Sequence, residues 1–240
     1  YALGRNKTAL EKRFLSNINN PKLSFIIKDI NSALTTNIDF DYIIHAASNA
    51  YPSAFSIDPV GTMMTNINGV NNLLDYGKTH NLKKFLFVSS GEVYGQGDTE
   101  VKAFDENYYG YVDITNPRSC YPNGKRAAET LCISYYNQYG LKTVIARPSH
   151  TYGATATKKD NRAATQFINN IINDENIVMK SNGLQLRSYC YVADCVSALF
   201  TILLKGNEGC AYNIANNKSN VTIREIAQTL TTLYNKKIIF

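Results

Sequence analysis

Tryptophan is absent from the 240 residues, histidine occurs three times, and the five cysteines include no C-x-x-C pair. A scattered, odd set of thiols does not read as a disulfide framework or a zinc site, so reduced, buried thiols are expected. No apolar run approaches the roughly 18 residues of a membrane span. The basic excess is modest, 25 Lys+Arg against 19 Asp+Glu, with no dense Lys/Arg tract. That argues against a nucleic-acid groove and suits an anionic small molecule. Repeats and low-complexity segments are lacking. Neither a Met start, a signal peptide nor a glycine-rich G-x-x-G-x-x-G turn stands ahead of Tyr1-Ala2-Leu3-Gly4-Arg5-Asn6. The chain is therefore expected to begin inside a domain, and the strand-like Ile238-Ile239-Phe240 to be cut short as well. What remains is 44% hydrophobic and 18% charged, enough for a substantial core in one or two domains.

Short apolar runs alternate with helical patterns over the first 150 residues. Leu23–Lys28, Tyr42–His45, Phe85–Ser89 and Thr143–Ala146 read as strands, and the near-continuous Phe85-Leu86-Phe87-Val88 is what a strand covered on both faces looks like. A helix is expected around Ala9–Ile18. Asp58-Pro59 opens a long one to about Thr79, Asp as N-cap and Pro in the first position. Gly124–Tyr139 is a third. This alternation predicts an α/β fold, a doubly wound parallel sheet. Beyond Gly153 the rhythm changes. Helices are expected near Ala163–Ile172 and Val192–Leu204, and another after the capping box Thr222-x-x-Glu225. Strands are expected near Ile177–Met179 and Ala211–Ile214. This part reads as a smaller, mixed C-terminal region.

The chemistry concentrates between Phe85 and Lys125. Ser89-Ser90-Gly91-Glu92 breaks the apolar run, and sites in open α/β sheets lie just past the carboxyl ends of strands. Tyr121 and Lys125, four apart, share one helix face. An ammonium beside a phenol favours the phenolate, so Tyr121 is expected to have a lowered pKa and to take a proton from a sugar or alcohol hydroxyl. Ser90 would hold the same oxygen. Hydride loss from the carbon would then need a nicotinamide. Alone, Tyr-x-x-x-Lys is weak; its place after a strand–Ser–Ser turn in a βαβ series gives it weight.

With these pieces in order, the chain resembles the extended short-chain dehydrogenases of the NAD-dependent epimerase/dehydratase family, which act on nucleotide sugars. The matching segments are Asp29-Ile30, Ile44-His45-Ala46-Ala47, Asn66-x-x-Gly69, Val88-Ser89-Ser90-Gly91-Glu92-Val93-Tyr94-Gly95, Tyr121-x-x-x-Lys125, Arg147-Pro148 with Tyr152-Gly153, and Arg187-Ser188-Tyr189. The resemblance implies a Rossmann-like fold. Asp29, Ile30, Ala46, Ala47, Asn66, Val88, Tyr121 and Lys125 would bind the cofactor; Ser90, Glu92, Tyr121 and Lys125 would be catalytic; and Ser90, His150, Arg162 and Arg187 would hold the substrate. Arg187 would grip the substrate diphosphate, for which its fork is suited. Pro117-Arg118-Ser119-Cys120-Tyr121 through Gly124-Lys125-Arg126 most resembles UDP-glucuronate decarboxylases, with sugar-nucleotide 4,6-dehydratases nearby.

Several departures qualify this. Gly91 stands where glucose-type 4,6-dehydratases carry an Asp. His150 replaces the usual Asn and reads either as a phosphate donor or as a strand cap. Glu92 is either an acid/base group or a solvated carboxylate, and Arg162 either a substrate contact or a surface residue. Gly4 replaces the acid that reads the ribose, with Arg5 beside it, which leaves NADP open alongside NAD. Without the glycine turn the phosphate cradle is not in this polypeptide. The expected arrangement is a dinucleotide-binding part over residues 1–155 and a partial substrate-binding part over 156–240, interleaved with it. The expected molecule is a cytoplasmic homodimer with a nucleotide-diphosphate sugar as its ligand, no nucleic acid, no membrane and no metal.

Overall fold

The computed structural model describes residues 1–97, 101, 103–154 and 160–240; the expected boundary at 155/156 lies outside the described residues. The N-terminal half runs β1 (Ala2–Gly4), α1 (Lys7–Arg13), β2 (Phe25–Ile27), β3 (Tyr42–His45), α2 (Pro52–Ile57), α3 (Pro59–Thr79), β4 (Lys84–Val88) and α4 (Cys120–Tyr139). There follow β5 (Thr143–Pro148), β6 (His150–Tyr152), α5 (Ala163–Ile172), β7 (Ile177–Val178), β8 (Leu186–Tyr191), α6 (Val192–Lys205), β9 (Cys210–Ile214), β10 (Asn220–Thr222), α7 (Ile223–Tyr234) and β11 (Ile238–Ile239).

The central sheet is parallel, in the order β3-β4-β5-β9. Its packing explains why the middle of β4 and β5 is apolar without a break. Phe85, Phe87 and Ile145 point to one face, where they meet Val70, Leu73 and Leu74 of α3 and Ala128, Cys132 and Tyr135 of α4. Leu86, Val144 and Ala146 point to the other, against Cys195, Ile202 and Leu203 of α6. Strands covered on both faces have no solvent side, so in β4 and β5 alternation gives way to a continuous run, whereas edge strand β3 leaves Tyr42 and Ile44 exposed. β1 and β2 form a separate parallel pair.

The Asp58 carboxylate accepts the Gly61 N–H at 2.9 Å and Pro59 opens α3, as read from the sequence. The Thr222/Glu225 capping box opens α7. The C-terminal elements divide. β6, β8 and β10 form a mixed three-stranded sheet, and β7 pairs with β11 under α5 and α7, while α6 and β9 return to the main sheet. Several elements differ from expectation. α1 spans Lys7–Arg13 rather than Ala9–Ile18, with a separate 3-10 turn over Leu15–Asn17. α4 begins at Cys120, four residues before Gly124, because a single 3-10 turn (Pro117–Ser119) leads straight into it. α2 carries no periodic pattern and is signalled only by Pro52 in its first turn. Among the described residues no helix is long and apolar enough to cross a membrane, and no cluster of metal ligands occurs.

Candidate active site

The site lies at the carboxyl end of β4. There Ser90 caps a 3-10 turn (Gly91–Tyr94), its Oγ accepting the Glu92 N–H at 3.2 Å. Opposite stands the start of α4. Asn116 caps the turn before it by accepting the Arg118 N–H at 2.9 Å, and Ser119 Oγ donates to the Asp113 carbonyl at 2.5 Å. Tyr121 therefore falls in the first helical turn, with Lys125 one turn on.

Tyr121 is 6% exposed and its ring stacks on Phe55 of α2, centroids 4.6 Å apart and planes 19° apart. Ser90 lies close enough to its hydroxyl to pull the phenol pKa down. Lys125 is 2% exposed; its Nζ donates to the Val88 carbonyl at 2.8 Å and lies 5.7 Å from the Tyr121 ring centroid. The trio expected from the sequence is thus assembled, but its electrostatics are the reverse of the expectation. Burial pushes the Tyr121 phenol up to about 12; Ser90, Arg162 and Arg118 pull it down, and Glu92 pushes it up. Burial likewise pushes Lys125 down to about 7. Desolvation penalises both charged forms at once, so burial opposes the lowered phenol pKa that the spacing suggested.

Glu92 is at the mouth, both carboxylate oxygens 2.9 Å from one terminal nitrogen of Arg118. Arg162, whose charge also acts on Tyr121, is held by Asp160, with Nε 2.9 and 3.0 Å from the two carboxylate oxygens and a terminal nitrogen at 2.5 Å. His150 opens β6 and faces Tyr189 of β8, rings 5.6 Å apart. Burial pushes His150 down to about 4, and the charges of Arg187 and Arg162 push the same way. Arg187 itself is half-buried and donates to the Leu186 carbonyl at 2.9 Å. Arg162 and Arg187 thus supply positive charge beside the neutral His150, and that of Arg162 extends to Tyr121.

The remaining predicted residues line the tips of β2, β3 and β4. Asp29 accepts the Asn31 N–H at 2.9 Å and lies 3.7 Å from Arg5. The Ile30 side chain packs over Gly69, and its carbonyl accepts from Asn72 at 2.9 Å. Ala46 and Ala47 are exposed just after β3. Asn66, fully buried, donates to the Thr62 carbonyl and accepts from Ser48 at 3.0 Å, which holds the turn after β3. His45, at the tip of β3, is 2% exposed, and its Nε2 has no hydrogen-bond partner among the described residues.

Sequence reasoning assigned no role to the frame behind the site. Glu129 of α4 accepts from Arg147 at 2.6 and 3.0 Å and from Ser89 at 2.5 Å, all buried. Arg147 also reaches Tyr94 and the Glu106 carbonyl, and Tyr94 donates to Asn213 at 2.6 Å. Arg118 and Asp160 stand in segments singled out from the sequence, beside Tyr121 and Arg162, without a role of their own, and Phe55 carries no sequence signal; proximity in space marks all three.

Comparison with known families matches residues 9–215 to the NAD dependent epimerase/dehydratase family. The chain belongs to that family. Among curated family relatives, UDP-glucuronic acid decarboxylase 3 of Arabidopsis thaliana is 36% identical over 92% of this chain and 63% of its own length. UDP-glucuronic acid decarboxylase 1 of Danio rerio is 36% identical over 82% of this chain and 46% of its own. The chain thus spans less than two thirds of these relatives. Pal from Bacillus thuringiensis superposes with a TM-score of 0.83 at 24% identity, over 99% of this chain and 76% of that one. A UDP-N-acetylglucosamine 4-epimerase from Methanobrevibacter ruminantium gives 0.80 at 24% identity, over 94% and 73%. These likenesses establish the Rossmann fold of the family.

Proposed function

We propose that the protein is an NAD-dependent enzyme that modifies a nucleotide-diphosphate sugar through a 4-keto intermediate. The observation that carries this reading is Tyr121, buried beside Ser90 at the carboxyl end of β4, with Lys125 a turn below it.

The strand tips suit a dinucleotide. Lys125 spends one donor on Val88 and has others for a ribose hydroxyl. Ala46 and Ala47 present backbone without bulky side chains, Asn66 fixes the turn beside them, and Asp29 with Ile30 stands at the far tip for adenine. The Gly4-Arg5 pair keeps NADP as the alternative. When bound, a nicotinamide takes hydride from a sugar carbon and can return it. The chain's part is to orient the sugar and move its proton. Tyr121 as it stands is protonated at neutral pH, so accepting a proton requires its anion to be stabilised, and Ser90, Arg162 and Arg118 are the groups that do so. His150, Arg162 and Arg187 would receive the diphosphate by charge and hydrogen bonding. Glu92 would serve acid/base work on the intermediate.

Within this reading, decarboxylation of a UDP-glucuronate-type sugar is favoured by the Pro117–Tyr121 segment and by relatives 36% identical. The alternative is a non-catalytic binding protein on the same fold. Tyr121→Phe separates them: turnover of a nucleotide sugar should fall by on the order of a hundredfold or more, with the thermal midpoint unchanged. Parent protein that neither holds a nicotinamide nor turns over any nucleotide sugar would refute the enzyme reading. We further propose a cytoplasmic homodimer, paired through α3 and α4, whose Val60, Met64 and Tyr139 are exposed. The split into a dinucleotide-binding part and a substrate-binding part is kept as a proposal of the same standing.

A further inference from the structure

We propose that Arg118 is a positioning residue that holds the Glu92 carboxylate at the mouth of the site, in register with the Tyr121 hydroxyl. The inference rests on the enzymatic reading above and assigns a role within that same site.

An ion pair between half-exposed side chains is ordinarily loose, because two long chains must be ordered for little gain. Here both partners are restrained. The Arg118 backbone is set by the Asn116 cap, one 3-10 turn ahead of α4. Its guanidinium carbon lies 4.6 Å from the centroid of the Phe55 ring, whose stacking on Tyr121 places guanidinium and both aromatic groups in one neighbourhood. Glu92 is restrained from the other side, its N–H bound to Ser90 Oγ at 3.2 Å, and Ser90 stands beside the Tyr121 phenol. Both Glu92 oxygens face a single Arg118 nitrogen at 2.9 Å. Among the described residues Arg118 is the only ion-pair partner of Glu92.

Phenol and carboxylate are therefore located against common references, Ser90 and Phe55. If Arg118 is removed, Glu92 keeps its backbone anchor but loses what fixes its carboxylate. Misplacement by about 1 Å can cost on the order of a hundredfold in rate. Lysine restores the charge but not the flat surface that lies on Phe55.

The test uses the full chain in two arms. In the first, turnover of a nucleotide sugar is measured for Arg118→Gln, Arg118→Lys, Glu92→Gln and the double variant Arg118→Gln/Glu92→Gln. The expectation is a loss in kcat of about a hundredfold for R118Q with KM nearly unchanged. Partial recovery is expected in R118K, and the double variant should be no worse than E92Q. Free guanidinium ion should restore part of the activity of Arg118→Ala. In the second arm, the guanidinium resonances of Arg118 are followed by nitrogen NMR without substrate. The parent should show slowed rotation of the paired group, and E92Q should abolish it. An active parent with fully active R118Q, or additive losses in the double variant, overturns the inference. So does an Arg118 signal indifferent to E92Q. A parent with no turnover on any nucleotide sugar sinks the enzymatic reading instead, and the catalytic use of the pair with it, while the NMR arm still decides whether the pair forms.

Discussion

Lys125 illustrates how burial changes what a residue can do. Its Nζ sits on the Val88 carbonyl and 4.6 Å from the Phe87 ring centroid, shielded from water, and its pKa falls from 10.5 to about 7. The sign of the consequence follows from proton counting. Between about pH 7 and 10.5 the unfolded chain binds a proton at this position that the fold refuses, so stability rises with pH across that window. Below it the fold bears the full cost of a buried ammonium, roughly 1.4 kcal/mol for every tenfold loss of proton affinity. Lys125→Met should therefore stabilise the protein by a few kcal/mol at pH 6, with the gap closing toward pH 10. Urea unfolding of both proteins across that range measures it, and the same variant should lose turnover. Structure and activity pull in opposite directions at this residue, as is common where a polar group is buried for use.

At the scale of elements, the Arg147–Glu129 pair joins β5 to α4 and, through Ser89, Tyr94 and Asn213, ties the tips of β4 and β9 together. The pair is buried, with Arg147 4% exposed. Removing one partner strands the other charge, so Arg147→Met should cost about 3–5 kcal/mol. Replacing both, Arg147→Met with Glu129→Leu, should recover much of that loss. Denaturant midpoints for the single and double variants check the order. The network also holds the turn that carries Ser90, so the double variant should fold yet turn over poorly. α4 shows the complementary point. Its Tyr-x-x-x-Lys spacing places both side chains on one face from the sequence alone, whereas its start at Cys120 depends on the Pro117–Ser119 turn, capped by Asn116 and tied by Ser119 to the Asp113 carbonyl.

Over the whole molecule, acid sensitivity should follow two histidines. His45 is buried at the β3 tip and held down at about 3, by burial first and then by Lys125. His150, among the arginines of the site, is held at about 4. Both folded values lie below the ordinary 6.5, so the unfolded chain takes up protons that the fold excludes, and stability falls as pH drops from about 6.5 toward 4. Above 6.5 neither contributes any pH dependence. His45→Leu should flatten this acid slope, read from thermal midpoints at successive pH values. A parent whose midpoint is constant between pH 6.5 and 4.5 would contradict the prediction.

Local grammar determined a good deal by itself. Apolar runs bounded by Ser, Gly and Asp marked the strands, Asp58-Pro59 and Thr222-x-x-Glu225 marked helix starts, and a period of four put Tyr121 with Lys125. Each of these is an interaction within a few residues, which is why it can be read along the chain. Only the tertiary structure decided the rest: that Phe55 covers Tyr121, that Arg118 takes Glu92, that Asp160 holds Arg162, and that Tyr121 is made less acidic rather than more. Those outcomes depend on which groups are removed from water together, and desolvation belongs to the assembled fold, not to any segment of it.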